Sequence, residues 1–158
     1  MSNQDVTVRD ATEADLEVLR SFPHAEEVDV IWQATELQEA ILAVVEVEGQ
    51  VVGSAVLDLI SEMRPEVKRI WINQDARRHG FGSTLTRWLE DRARELGNEA
   101  TYMAIDPNNV KMIPMAIDLG YSPTGDHLFV DQPDHVQVDD PEAASEYFAI
   151  YRKSLTMR

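Results

Sequence analysis

Apolar and polar residues alternate through Val6-Thr7-Val8-Arg9, which predicts a short opening strand. Thr12, with Asp15 three residues on, has the form of a helix N-cap. Leu16, Leu19 and Phe22 then give a helical stripe that Pro23 stops. Thr35 and Gln38 have capping-box spacing and predict a short helix from Leu37 to Ile41. Leu42 to Glu48 and Val51 to Leu59 are rich in β-branched residues and flank Gly49-Gln50, a hairpin signal. Pro65 marks a break, and Glu66 to Ile72 reads as another strand.

Helical periodicity is clearest from Gly82 to Leu96, where Leu85, Trp88, Leu89, Ala93 and Leu96 share a face and Gly97 suits the position after the C-cap. Ala100 to Ile105 predicts a strand, and Val110 to Leu119 a helix ending at Gly120-Tyr121. Pro114 costs such a helix about 3 kcal/mol unless it bends or starts late. After an irregular acidic stretch, Glu146 to Ser154 predicts a last strand. The unit from Glu66 to Ile105 should be a right-handed parallel crossover, while the hairpin is antiparallel. The expected fold class is α/β (α+β): one mixed, mostly antiparallel sheet with helices on both faces.

At 158 residues, 44% hydrophobic and 27% charged, the chain reads as one globular domain over residues 1–158. Its 29 acidic and 14 basic residues give a net charge of −15, which argues against binding a nucleic-acid backbone. The absence of cysteine excludes a disulfide framework and any Cys-ligated metal site. No basic-then-apolar leader opens the sequence, and the apolar run Ala40 to Val45 is far short of the roughly 20 residues that cross a bilayer. A soluble, cytoplasmic protein with no membrane partner is expected. Only Lys68, Lys111 and Lys153 are lysines. So acidic a surface suits solubility in concentrated salt, or attraction of a cationic substrate.

Candidate chemistry concentrates between Ile72 and Ser83. Gly80 and Gly82 allow close approach to the backbone, and the first turn of a helix offers unpaired N–H groups and a favourable dipole to an anion. Arg77, Arg78 and His79 form a dense basic cluster at this bend in an otherwise acidic chain. A strand, glycine turn and helix in that order can cradle phosphate; the same glycines can equally serve turn geometry alone. The bend has neither the ending of a Walker loop nor the three-glycine dinucleotide fingerprint.

Arg77-Arg78-His79-Gly80-Phe81-Gly82 resembles the Gln/Arg-x-x-Gly-x-Gly/Ala signature of the GNAT superfamily of N-acyltransferases. Asn109 and Leu119-Gly120-Tyr121 are similar to the family's following Asn and Leu-Gly-Phe, and the element order fits nearly the whole chain. The resemblance implies acetyl-CoA as co-substrate, its pyrophosphate on the amides from Arg77 through His79, Gly80, Phe81 and Gly82 to Ser83, with Arg77 or Arg78 adding charge. It implies strands splayed near Ile72 and Ile105, with backbone at Ile72 meeting the thioester carbonyl. Asn109 matches a position that contacts the CoA arm; it also reads as a helix N-cap.

Acetyl transfer to an amine needs its proton removed, because alkylamines are mostly protonated at neutral pH. Glu66 is placed like the base glutamate of the family's histone-acetylating members, and is also readable as an exposed strand-end residue. In a regular strand it shares a face with Lys68, Ile70 and Ile72; a bulge breaks that phase. Where many members carry an acidic tyrosine, the register puts Ala116, which departs from the pattern. Tyr147 and Tyr151 are substitute acids, and Tyr121 is expected to pack. His24, His127 and His135 are scattered in loops without ligand spacing, so no metal is expected. Trp32, Trp71 and Trp88 read as packing residues. The implied activity is N-acetyl transfer to a primary amine of a small molecule or protein, by direct attack in a ternary complex. The acceptor pocket is expected from Phe22 to Leu37 and Ser122 to Val138. A non-catalytic acyl-CoA sensor and an enzyme for another acyl-CoA are the alternatives, and a homodimer is compatible with either.

Overall fold

In the computed structural model, which describes residues 5–23, 25, 27–129 and 147–156, the chain begins with β1 (Val6–Asp10) and a 3-10 turn (Glu13–Asp15). It continues through α1 (Leu16–Arg20), α2 (Val28–Glu36), β2 (Ala40–Val47), β3 (Gln50–Asp58) and β4 (Glu66–Ile72). A second 3-10 turn (Gln74–Ala76) leads to α3 (Phe81–Glu95), β5 (Ala100–Ile105), α4 (Met112–Leu119), β6 (Ser122–Phe129) and β7 (Tyr147–Ser154). The strands form one sheet in the order β1-β2-β3-β4-β5-β7-β6. Its pairs are antiparallel except β4 with β5, as expected for a mixed sheet around one crossover.

Each face of the sheet is covered by apolar residues at every second position of a strand. Ile41, Ala43, Val45, Ala55, Leu57, Val67, Met103 and Ile105 pack with Phe81, Leu85, Leu89 and Ala93 of α3 and Ala116 and Leu119 of α4. On the opposite face Leu42, Val44 and Val56 meet Leu16 and Leu19 of α1 and Val28, Ile31 and Trp32 of α2. Ala104, Phe148 and Ile150 form a smaller cluster on that second face with Met63, Tyr102 and Leu128. Trp32 and Trp88 therefore serve packing.

The hairpin turns at Glu48-Gly49, both at positive φ (51° and 84°), one residue earlier than its glycine suggests. This is the backbone that a two-residue hairpin of matching twist requires. Leu96 caps α3 and Gly97 follows in the left-handed region, as expected.

Three expectations are corrected. No helix runs from Leu37 to Ile41: α2 ends at Glu36 and β2 starts at Ala40. Thr35 lies in the last turn of α2, and its hydroxyl bonds back to the Trp32 carbonyl at 2.6 Å instead of opening a new helix. The first part of the stretch after Gly120 is a strand, β6, which carries His127; the rest of that stretch, with His135, and also Glu146 and His24, lie outside the described residues. Finally, α4 starts at Met112, so Pro114 occupies its first turn, where the missing N–H has no intrahelical partner to lose.

Candidate functional site

The parallel strands β4 and β5 pair at a single rung, Glu66 opposite Tyr102, with the Tyr102 N–H on the Pro65 carbonyl at 3.0 Å. Beyond that rung β4 follows β3 and β5 follows β7, so a gap opens toward the C-terminal ends at Ile72 and Ile105. The Asn73 N–H bonds the Val52 carbonyl at 2.7 Å. Backbone groups of successive strand residues point to opposite sides, so the N–H and carbonyl of Ile72 point away from β3 into the gap.

Above the mouth of this gap lies the bend into α3. Arg78 (φ 69°) and Gly80 (φ 77°) both adopt left-handed backbone. The Gly80 carbonyl accepts the Thr84 N–H at 3.0 Å, which leaves the amides of Phe81, Gly82 and Ser83 without an intrahelical acceptor. A Cβ built on Gly80 meets no atom within 4 Å, and one on Gly82 would make ordinary van der Waals contact with Ile70 at 3.4 Å and Met115 at 3.5 Å. Gly80 thus serves the turn's conformation, while Gly82 sits where α3 lies against Ile70 of β4 and Met115 of α4. The bend fits an anionic diphosphate: three free amides, a helix dipole and a cationic rim converge on open space.

The cations of the bend divide. Arg77 turns back toward β4, where its Nε donates to the Ile72 carbonyl at 2.9 Å and its guanidinium lies 4.6 Å from the Trp71 ring centroid. Arg78 and His79 are exposed, and the His79 ring leans on Phe81 at 5.6 Å between centroids. Asn109 Oδ1 accepts the Met112 N–H at 3.1 Å, which makes it a cap for α4.

Glu66 is the rung residue at the closed end of the gap, and it is buried (7% exposed). Desolvation pushes its carboxyl above the usual carboxylate range. Repulsion from Asp58 adds to the rise, while Lys68, the Ser61 hydroxyl and Arg69 oppose it. Lys68 is itself paired with Asp58 at 2.6 Å. The residue is thus no exposed strand end. The strand phase also breaks, because Ala55 of β3 lies opposite a bulge at Arg69 (φ 54°). Glu66, Lys68 and Trp71 lie opposite Asp58, Val56 and Ser54, whereas Ile70 and Ile72 join the α3 side. Gly53 allows the close approach beside the bulge: a Cβ there would sit 2.5 Å from Ile72 Cδ1 and 2.7 Å from the Trp71 carbonyl oxygen.

Glu66 and Ile72 stand six residues apart on β4, but the bulge sets them opposite Asp58 and Gly53, five residues of β3 or about 17 Å at ~3.4 Å per residue. One thioester therefore cannot touch both directly.

A groove of about 460 Å³ opens on the Glu66 face of the sheet. Met63, Tyr102, Leu128 and Ile150 make its floor, and Glu62, Arg64, Asp126 and His127 stand among its polar lining. Of the two segments expected to form the acceptor pocket, β6 contributes Thr124, Asp126, His127 and Leu128 to this groove, while no described residue from Phe22 to Leu37 lines it.

The candidate acids separate. Ala116 is fully buried on the core face of α4 and carries no acid. Tyr151 is core, paired with Met103. Tyr147 is 38% exposed, beside His127 at 5.0 Å between ring centroids. It lies two residues beyond Ala149, the partner of Ile105, and so at the open end of the gap. Tyr121 packs, but it also hydrogen-bonds: its hydroxyl donates to Glu90 at 2.7 Å and lies 2.7 Å from the Thr101 hydroxyl, while Lys153 holds the other Glu90 oxygen at 2.8 Å. No group of three or more metal-ligating side chains is found among the described residues.

Residues 7–121 match the family model of the acetyltransferase (GNAT) family. Solved structures with the same architecture include a GNAT family acetyltransferase from Elizabethkingia anophelis with acetyl-CoA bound (14% identity, 95% of this chain and 98% of that one, TM-score 0.73). The ribosomal-protein-S18-alanine N-acetyltransferase of Escherichia coli is similar over 98% of this chain and 96% of its own (16% identity, TM-score 0.72). A spermidine N-acetyltransferase chimera from Vibrio cholerae is similar over 94% and 95% (17% identity, TM-score 0.71). These likenesses establish the fold. No curated protein matches the chain in sequence.

Proposed function

Because the chain belongs to the acetyltransferase (GNAT) family and is an acyltransferase, we propose that it moves an acetyl group from acetyl-CoA to a primary amine, with residues 1–158 as one catalytic domain. The observation that carries this reading is the placement of three unpaired amides, Phe81, Gly82 and Ser83, at the mouth of the β4–β5 gap. The diphosphate rests on those amides with Arg78 and His79 at its rim, and the pantetheine arm enters the gap past the Ile72 N–H. The ~17 Å between Ile72 and Glu66 supports a reading in which Ile72 meets the arm and the thioester lies further in, toward the bulge and the base. Asn109 keeps the start of α4 in place beside the arm.

On the Glu66 face the acceptor lies in the groove and presents its nitrogen at the closed end of the gap. Glu66, directly or through one water, takes the ammonium proton; its raised pKa makes it a better base than a solvated carboxylate. The neutral nitrogen forms the C–N bond, the C–S bond breaks, and the thiolate takes a proton from water, since Tyr147 stands at the open end, away from the thioester. The spermidine and ribosomal-protein acceptors named for the structural neighbours show how far amines can differ on this fold, so the acceptor here is kept at the level of a primary amine.

Steady release of CoA thiol from acetyl-CoA over a panel of polyamines, amino acids and peptide N-termini tests the reading. One amine giving stoichiometric acetylated product is the expected result. Acetyl-CoA binding with no turnover on any amine would assign a sensor instead, and turnover only with a longer acyl-CoA would change the donor.

A further inference from the structure

Arg69 is a non-glycine residue held at φ 54° in the middle of β4, a conformation that costs a side-chain-bearing residue free energy unless its surroundings fix it. Its guanidinium is largely buried (16% exposed) and ion-paired with Glu27, the residue at the N-cap of α2. The pair spans 42 positions in sequence and ties the helix layer of the acceptor face to the strand that carries Glu66. The consequence for the site is geometric. With the bulge, Glu66 lies on the same face of the sheet as the groove while Ile70 and Ile72 pack on the α3 face. Without it, the period of two would put all three on one face, and either the base or the apolar pair would be misplaced.

We propose that Arg69 is a positioning residue for the transfer reaction: its ion pair with Glu27 fixes the β4 bulge, which sets Glu66 on the acceptor face while the gap for the arm stays open. The inference rests on the reading of Glu66 as base, yet it concerns a backbone feature that can be measured without turnover. Around Glu66, the facing groups are Lys68, Asp58, Ser61 and Arg69 itself, with Tyr102 across the rung.

Two variants separate position from charge. Arg69→Ala and Arg69→Gly remove the same cation, but only glycine tolerates the left-handed backbone unaided. Arg69→Ala should perturb the backbone chemical shifts of residues 68–72 and move the Glu66 carboxyl titration followed by carbon-13 NMR. It should also raise the acceptor KM about tenfold, a loss of ~1.4 kcal/mol, with acetyl-CoA affinity kept within about twofold. Arg69→Gly should keep the bulge shifts of the wild type and a KM within about threefold of it. Glu27→Gln, which weakens the pair from the α2 side, should fall between them. Equal behaviour of the alanine and glycine variants would overturn the proposal, since the effect would then be charge alone; so would a wild-type spectrum in all three. If the bulge shifts and the titration respond as stated while the acid limb of kcat/KM does not follow Glu66, the positioning of Glu66 stands and its role as base falls.

Discussion

The bend entering α3 and the groove over β5, β7 and β6 belong to opposite faces of the sheet and are built by opposite means. The bend spans a dozen consecutive residues, and the groups it offers a ligand are backbone amides that any residue but proline could supply, provided glycine stands where the turn is left-handed. The groove gathers residues near positions 63, 102, 127 and 150, and its character lies entirely in their side chains. A ligand shared by a family can be held by backbone that survives sequence drift. An acceptor that varies is left to side chains that drift with it.

Breaking the chemical link between the two regions should have the largest effect. Glu66→Gln should lower kcat about 100-fold or more with acetyl-CoA affinity unchanged, and should abolish the acid limb of the pH–rate profile. That limb should lie above the usual carboxylate range, because desolvation raises Glu66. The sign for stability is opposite to that of a paired acid. A folded-state pKa above the unfolded one makes ionisation of Glu66 destabilising as pH rises through the folded value, so the glutamine variant should lose less stability between mildly acidic and neutral pH. Chemical denaturation at several pH values reads this.

Attack on the bend alone sharpens the contrast. Ser83→Glu places a carboxylate in the first turn of α3, where the dipole favours it for folding, yet it faces the diphosphate. We expect acetyl-CoA affinity by calorimetry to fall about 30-fold while the melting temperature holds or rises. A smaller, purely structural effect belongs to the side of the sheet away from both regions. Arg9 clamps Asp15 at 2.7 Å and Glu46 at 2.7 Å, and the pairing pulls Asp15 down to about 2. The stability this lends, about 2 kcal/mol, is present above the unfolded pKa of 3.8 and is lost as pH falls from there through 2. Arg9→Ala should remove it at neutral pH and leave acetyl-CoA affinity intact, as measured by denaturation and calorimetry. The smallest effect is expected at the groove rim, where Asp126→Asn should change the acceptor KM by about threefold and leave the donor KM alone.

The same contrast decides how much could be read from the sequence. The bend, α3, β4, β5 and the hairpin are encoded locally, by glycine placement and by periods of 2 and 3.6, and they stand within a residue or two of expectation. α2 was lost to a threonine–glutamine pair of capping spacing, although Val28, Ile31 and Trp32 carried the helical stripe. β6 escaped because Ser122-Pro123-Thr124-Gly125 reads as a turn; as the edge strand it tolerates a proline and a glycine at φ 90°. The bulge at Arg69 leaves no local mark, since its stabilising partner lies 42 positions away. The burial of Glu66 likewise depends on a parallel strand reached only after α3. Tyr121 could be placed as a packing residue, but its bonds to Glu90 and Thr101 join three separate elements and are visible only in three dimensions.

The central claim is that the amides opening α3 hold the diphosphate of coenzyme A. Nitrogen-15 NMR of the intact chain titrated with acetyl-CoA tests it residue by residue. The Phe81, Gly82 and Ser83 amides should shift first and farthest and saturate together with Ile72, and in the Ser83→Glu variant the Phe81 and Gly82 amides should need about 30-fold more acetyl-CoA to reach the same shift. Saturable binding that leaves those three amides unmoved would contradict it.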